Sequence, residues 1–143
     1  MEDASGRSMR VLIADDSEMI VQRLIAMLSH VRGVEIVDQV GTVEETREAM
    51  RRLRPDAVIL DMQMPGGSGI DVLESMKKDR LISTVIVLTN HPHAPYRKKC
   101  LQVGAKFFLD KSNEFEKVGE VLQGLIRDAD REAGRDCRDH EDM

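Results

Sequence analysis

Four places in the chain put a reactive side chain directly behind a short β-rich apolar run. Met9-Arg-Val-Leu-Ile-Ala14 is followed by Asp15 and Asp16, and Ala57-Val-Ile-Leu60 by Asp61. Thr84-Val-Ile-Val-Leu88 is followed by Thr89, and Lys106-Phe-Phe-Leu109 by Asp110 and Lys111. Carboxylates gathered at one spot repel one another and raise one another's pKa, and a hard divalent cation relieves the strain. With oxygen donors only, and no His or Cys in the set, the ion expected is Mg²⁺. It binds through one or two carboxylates plus phosphate oxygens and keeps several waters. Asp61 is then the natural nucleophile, since carboxylates form aspartyl-phosphates. Lys111 can pair with Asp61 when the site is empty and with a phosphoryl oxygen when it is loaded. Thr89 offers a hydroxyl to another phosphoryl oxygen. Neutralising charge on the transferring group is most of what such chemistry requires.

Each residue also has a plainer reading. Asp15 or Asp16 would serve as a helix cap, although one Asp suffices for that and here there are two. Asp61 alone would make a strand-end Asx turn. Thr89 alone is an ordinary β-branched strand residue, and Lys111 alone a solvated lysine. Only their shared placement at strand ends favours the site. His30, His91, His93 and His140 are scattered and read as structural or exposed, with His91 and His93 near enough to Thr89 to line a rim. The methionines read as adaptable packing. Cys100 reads as a small buried or half-buried residue, and Arg97-Lys98-Lys99 as a solvated helix face.

The elements that must carry these side chains alternate strictly. After the first strand, Ile20, Leu24, Met27 and Leu28 recur at helical spacing between Ser17 and Ser29. Val34 to Val40 is a second strand. Thr42 is placed to cap the next helix, with Glu45 at capping-box distance, and Pro55 ends that helix near Leu53. Met62 to Gly69, with one Pro and three Gly, reads as a loop; a helix follows from about Ile70 to Asp79. A fourth helix spans about Ala94 to Val103 and stops at Gly104, and a fifth starts near Asn113 and runs through Ile126.

Five strands alternating with five helices predict an α/β fold. The first, third and fourth strands are continuous apolar runs, as expected of strands covered on both faces. Short connections imply parallel strands and right-handed crossovers. The economical arrangement is a flavodoxin-like (βα)5 doubly wound sandwich with strand order 2-1-3-4-5, whose ligands gather beyond the carboxyl ends of the central strands. In that order the second strand, which contributes no reactive group, is the far edge. The expected organisation is a short polar N-terminus over residues 1–8, one domain over 9–127, and a charged helix end and solvated tail over 128–143.

Composition narrows the function. A chain of 143 residues with 41% hydrophobic and 33% charged residues is long enough for a core without disulfides. Its net charge of −5, without a basic stripe, argues against DNA or RNA as a partner, and the scarcity of aromatics argues against base stacking. Cys100 and Cys137 make neither a disulfide framework nor a zinc site. No apolar run is long enough to span a bilayer, and no signal segment follows Met1 to Ser8, so a cytoplasmic location without membrane attachment is expected.

Asp15-Asp16, Asp61-Met-Gln-Met-Pro65 with Gly69, Thr89, and Asp110-Lys111, in this order, resemble the receiver domain of two-component response regulators over about Met9 to Arg127. The resemblance implies Asp61 as phosphoacceptor. It implies a metal held by Asp16, Asp61 and the backbone carbonyl of Gln63, with Asp15 acting mostly through a bound water. It implies Thr89 as the switch hydroxyl and Phe108 as the aromatic coupled to it, though Phe108 serves equally as a core aromatic. It implies phosphorylation by a histidine kinase or histidine phosphotransfer protein and signalling to a downstream protein through the face of the fourth helix, fifth strand and fifth helix. The expected state is a monomer or a weak phosphorylation-dependent dimer, working as a stand-alone switch rather than an enzyme. Asn90 stands where the family commonly has a small residue, and Ser112 where many members have Pro; Ser leaves that loop freer and, with Asn113, could cap the last helix. The alternative is a small Asp61-dependent phosphatase, against which no second acid or His is placed as a base. A nucleotide- or flavin-binding domain is disfavoured because Ala14-Asp-Asp-Ser17 lacks a Gly-rich phosphate cradle.

Overall fold

The computed structural model of the chain describes residues 8–90 and 93–142, with residues 132–142 described by their helical backbone alone. The elements are β1 (Met9–Ala14), α1 (Glu18–Leu28), β2 (Val34–Val40), α2 (Val43–Leu53), β3 (Ala57–Leu60), β4 (Gln63–Met64), β5 (Gly67–Ser68), α3 (Gly69–Lys78), β6 (Thr84–Thr89), α4 (Ala94–Val103), β7 (Phe107–Asp110) and α5 (Lys117–Asp142). The main sheet is parallel in the order β2-β1-β3-β6-β7, the flavodoxin-like 2-1-3-4-5 arrangement expected from the alternation.

The two-residue period of the strands divides the core. Leu12, Ala14, Val58, Leu60, Val85 and Val87 face the side packed by α2, α3 and Cys100 of α4. Val11, Ile13, Ala57, Ile59, Ile86 and Leu88 face the side packed by Leu24 and Leu28 of α1 and Val118 and Leu122 of α5. Both faces of β1, β3 and β6 are therefore dry, which is why these strands read as unbroken apolar runs. Each large aliphatic side chain buried this way contributes about 1.5–3 kcal/mol.

Register places the strand ends level with one another. Ala14 pairs with Leu60 and Leu60 with Val87. The next residues, Asp15 and Asp61, thus emerge side by side, and the Asp61 N–H donates to the Ala14 carbonyl at 2.9 Å. Thr89 pairs with Asp110, and the Lys111 N–H donates to the Thr89 carbonyl at 2.8 Å.

Local chemistry sets the helix starts. Ser17, not either Asp, caps α1, its hydroxyl accepting from the Ile20 N–H at 3.3 Å. Thr42 caps α2 by accepting from Glu45, but the Glu45 carboxylate reaches back to the Gly41 N–H at 3.1 Å, one residue before the cap. Arg54 and Arg80 take left-handed conformations, at φ 46° and 58°, where helices more often end on Gly.

Three stretches depart from the sequence reading. Met62 to Gly69 is not all loop: β4 and β5 pair antiparallel around Pro65-Gly66, with Gly66 at φ 94°, the torsion a Pro-Gly turn requires. α3 then begins at Gly69, one residue early, under a capping box from Ser68 and Asp71. α5 begins at Lys117 rather than near Asn113, because Asp110 draws the intervening residues into a turn. Its backbone is helical through Asp142, further than the expected frayed end and tail.

Candidate functional site

The site is assembled by strand ends and closed by one lysine. Lys111 Nζ lies 2.8 Å from Asp15 Oδ2 and 3.5 Å from Asp61 Oδ1. Their side chains are only 6%, 2% and 7% exposed, so the three form a buried cluster. Each acid is also oriented by backbone: Asp15 Oδ1 accepts from the Ser17 N–H at 2.9 Å and Asp61 Oδ1 from the Gln63 N–H at 3.3 Å. Asp61 Oδ2 has no hydrogen-bond partner among the described residues.

Asp16 is exposed, yet one carboxylate oxygen from each of Asp15, Asp16 and Asp61 lies within 4.8 Å of the others. Among the described residues one ammonium, that of Lys111, is paired with these acids. Burial first, and then the neighbouring Asp15 charge, push the Asp61 carboxyl up to about 6, while Lys111 and the Gln63 N–H pull it down. An all-oxygen donor set with surplus negative charge and an open side suits Mg²⁺ and not a softer metal. Asp16, Asp61, Gln63, Asn90 and Lys111 line the open side, a cleft of about 390 Å³.

Thr89 is fully buried at the end of β6, tied to the Lys111 backbone. Phe108 is buried in the core beneath, with the Arg97 guanidinium 5.9 Å from its ring centroid. Asn90 is exposed at the cleft. His93 is exposed beside Tyr96, and His91 lies outside the described residues.

The sequence motif includes Gly69 without giving it a physical role, and several other contacts escaped the sequence reading. Gly69 leaves no room for a side chain: a Cβ there would sit 3.0 Å from the Asp61 carbonyl oxygen and 3.0 Å from Met62 Sδ. The residues after Lys111 are not free and do not cap α5. The Ser112 N–H donates to Asp110 Oδ1 at 2.9 Å and Asn113 Nδ2 to Asp110 Oδ2 at 3.0 Å. Glu114 closes the turn from the other side, its N–H donating to the Asp110 carbonyl at 2.7 Å and its Oε1 accepting from the Asp110 N–H at 3.0 Å. The Asp110 N–H first, and then the Lys117 ammonium, hold the Glu114 carboxyl below its usual range. Only a residue with a backbone N–H at position 112 can make the first of these bonds. The Cys100 thiol meets Met62 Sδ at 3.3 Å, joining α4 to the residue that follows Asp61.

A doubly wound parallel sheet with an acid cluster and a lysine at its switch point puts these side chains where the ligands of such α/β domains bind. The response regulator receiver domain model matches residues 11–123, and the chain belongs to that family. Among curated relatives, the uncharacterized transcriptional regulatory protein YvfU of Bacillus subtilis is 29% identical over 118 residues, covering 82% of this chain and 59% of that protein. A protein-glutamate methylesterase/protein-glutamine glutaminase of Rhizobium johnstonii is 34% identical over 119 residues, 82% of this chain but 32% of the relative. The chain thus spans less than two thirds of the length of these relatives. Solved structures agree on the fold. The response regulator domain of Thermotoga maritima CheB superposes with a TM-score of 0.76 at 26% identity, over 86% of this chain and 96% of that one. A chain of the CheX-CheY-BeF3-Mg complex of Borrelia burgdorferi superposes with 0.71 at 30% identity, over 82% and 92%.

Proposed function

We propose that the chain accepts a phosphoryl group on Asp61 from a histidine kinase or histidine phosphotransfer protein and uses it to switch partner binding. The observation that carries this reading is the position of Asp61. It is a buried carboxylate lining the cleft, with one oxygen engaged by Lys111 and Gln63 and the other without a partner among the described residues. Mg²⁺ fits Asp16, Asp61 and the Gln63 carbonyl, with Asp15 behind them, and when bound would supply positive charge to the phosphoryl oxygens. Asp61 Oδ2 forms the new O–P bond while the P–N bond to the donor imidazole breaks, and the leaving nitrogen takes a proton from solvent. Lys111, already between Asp15 and Asp61, needs only to exchange its 3.5 Å contact for a phosphoryl oxygen. The Thr89 hydroxyl serves a second oxygen, and Phe108 beneath it adjusts to that movement.

Two features support a switch rather than turnover. Among the described residues that line the cleft there is no His, and the one acid besides Asp61 is Asp16, which the metal would engage, so no free base is left for rapid hydrolysis. A bound phosphoryl group adds charge and acceptor oxygens at one point of the sheet, a local change of the kind that repositions loops. The proposed output surface is the face of α4, β7 and α5. No helix among the described residues is long and apolar enough to cross a membrane, and we place the protein in the cytoplasm, where its phosphodonors would be.

The test is labelling with a small phosphodonor such as acetyl phosphate in the presence of Mg²⁺, read by intact mass. The parent should gain one phosphoryl group, lose it on hydroxylamine treatment, and gain none with EDTA. Labelling of Asp61→Asn to the parent's extent would overturn the assignment.

A further inference from the structure

A concentration of positive charge lies away from the acid cluster. Between residues 77 and 106 the chain carries Lys77, Lys78, Arg80, Lys106 and the run Arg97-Lys98-Lys99 against one acid, Asp79. That is a local net of +6 in a chain of net −5, leaving −11 on the rest. The fold gathers much of it, because α3 packs beside α4. Lys77 and Lys78 of α3 and Lys99 of α4 line a groove of about 510 Å³ with Glu74, Gln102 and Val103. None of the three ammonium groups lies within 4.0 Å of a carboxylate oxygen among the described residues. Asp79, the nearest acid in sequence, is turned to Arg51 at 3.4 Å. Helix-dipole chemistry accounts for Lys77 and Lys78 in the last turn of α3. It does not account for Arg97-Lys98-Lys99 in the body of α4, a helix with no acid in its first turn and Cys100 as its only buried residue.

We propose that the α3–α4 groove is a docking site for a short carboxylate-rich segment of a partner protein. The lysine ammonium groups meet its carboxylates, and their aliphatic stems with Val103 cover its apolar atoms. The solvated-face reading of Arg97-Lys98-Lys99 leaves the unpaired Lys77, Lys78 and Lys99 around one concavity without a role. A nucleic acid fits less well. A long polyanion extending past the groove would leave the positive stretch for the rest of a chain that nets −11, and stacking platforms are scarce. A short acidic segment stays inside the positive region. Because the lysines are exposed, the attraction is screened beyond about 8 Å at physiological salt, so binding is salt-sensitive and contributes chiefly to encounter rate and orientation. The proposal does not depend on phosphoryl transfer to Asp61.

The experiment titrates the ¹⁵N-labelled full chain with a short polyglutamate peptide at low salt and follows amide shifts. Saturable shifts confined to residues 74–78 and 99–103, weakening about tenfold or more on raising the salt, are expected. The K77E/K78E/K99E variant should bind at least about tenfold more weakly, while R32E/R127E/R131E, with the same change in net charge away from the groove, stays within about twofold. If the reversal variant is not folded by circular dichroism, K77Q/K78Q/K99Q takes its place with the same expectation. Equal losses in groove and control variants, shifts centred elsewhere, no saturable binding by the parent, or tighter binding of single-stranded DNA or anionic vesicles than of the peptide would each overturn the proposal.

Discussion

Removing the proposed acceptor carboxylate should make the metal-free protein more stable. Asp61 titrates at about 6 in the folded chain against a reference of 3.8. The folded state therefore holds its proton to higher pH than the unfolded state. Stability falls as pH rises through that window, and the loss is complete above about pH 6. A shift of roughly two units corresponds to about 3 kcal/mol. Asp61→Asn keeps the shape, removes the charge and leaves Lys111 bound to Asp15 at 2.8 Å. With EDTA present, the variant should match the parent near pH 4 and exceed it by about 1–3 kcal/mol at pH 7.5. Urea denaturation at closely spaced pH values, with equal m-values, measures the gap. Saturating Mg²⁺ should narrow it, since the proposed ion would bind the folded parent through the same carboxylates. A gap independent of pH, or a less stable variant at pH 7.5, would refute the electrostatic reasoning.

Lys111→Met should have the opposite sign. It strands two buried carboxylates, should cost about 3–5 kcal/mol in metal-free protein, and should abolish stable phosphoryl acceptance, read by denaturation and intact mass. Gly69→Ala forces a methyl against the Asp61 carbonyl and Met62. A loss of about 1–3 kcal/mol with slower labelling is expected, and unchanged values would show that the turn yields freely. Ser112→Pro removes the N–H that Asp110 Oδ1 holds. It should slow labelling by acetyl phosphate while leaving Mg²⁺ affinity within about twofold, as read by fluorescence or calorimetric titration. Arg54→Gly relieves a left-handed residue and should raise stability by up to about 1 kcal/mol in urea.

Much of this was legible in the sequence because burial on both faces writes itself as unbroken apolar runs. β1, β3 and β6 announce themselves that way, and the topology rule then locates Asp15, Asp61, Thr89 and Lys111 at one rim. What stayed hidden depends on contacts with no period. The β4–β5 ribbon is two residues a side, too short for alternation to register. Asp110 competes with α5 for the turn after Lys111 through side-chain hydrogen bonds, so Asn113 looked like a helix start. The basic groove is split between two helices, and a net charge averaged over the whole chain conceals it. The proximity of Cys100 to Met62 joins residues far apart in sequence and carries no motif at all.

That sulfur contact has a mechanical consequence. Cys100 is the only fully buried residue of α4, with Val103 half sheltered, so sliding or tilting the helix sacrifices little dry surface. The mooring post, Met62, is the very next residue after the proposed acceptor. The helix with the most slack is thus fastened one peptide away from where the charge would arrive, and a small adjustment of that peptide would tug on it directly.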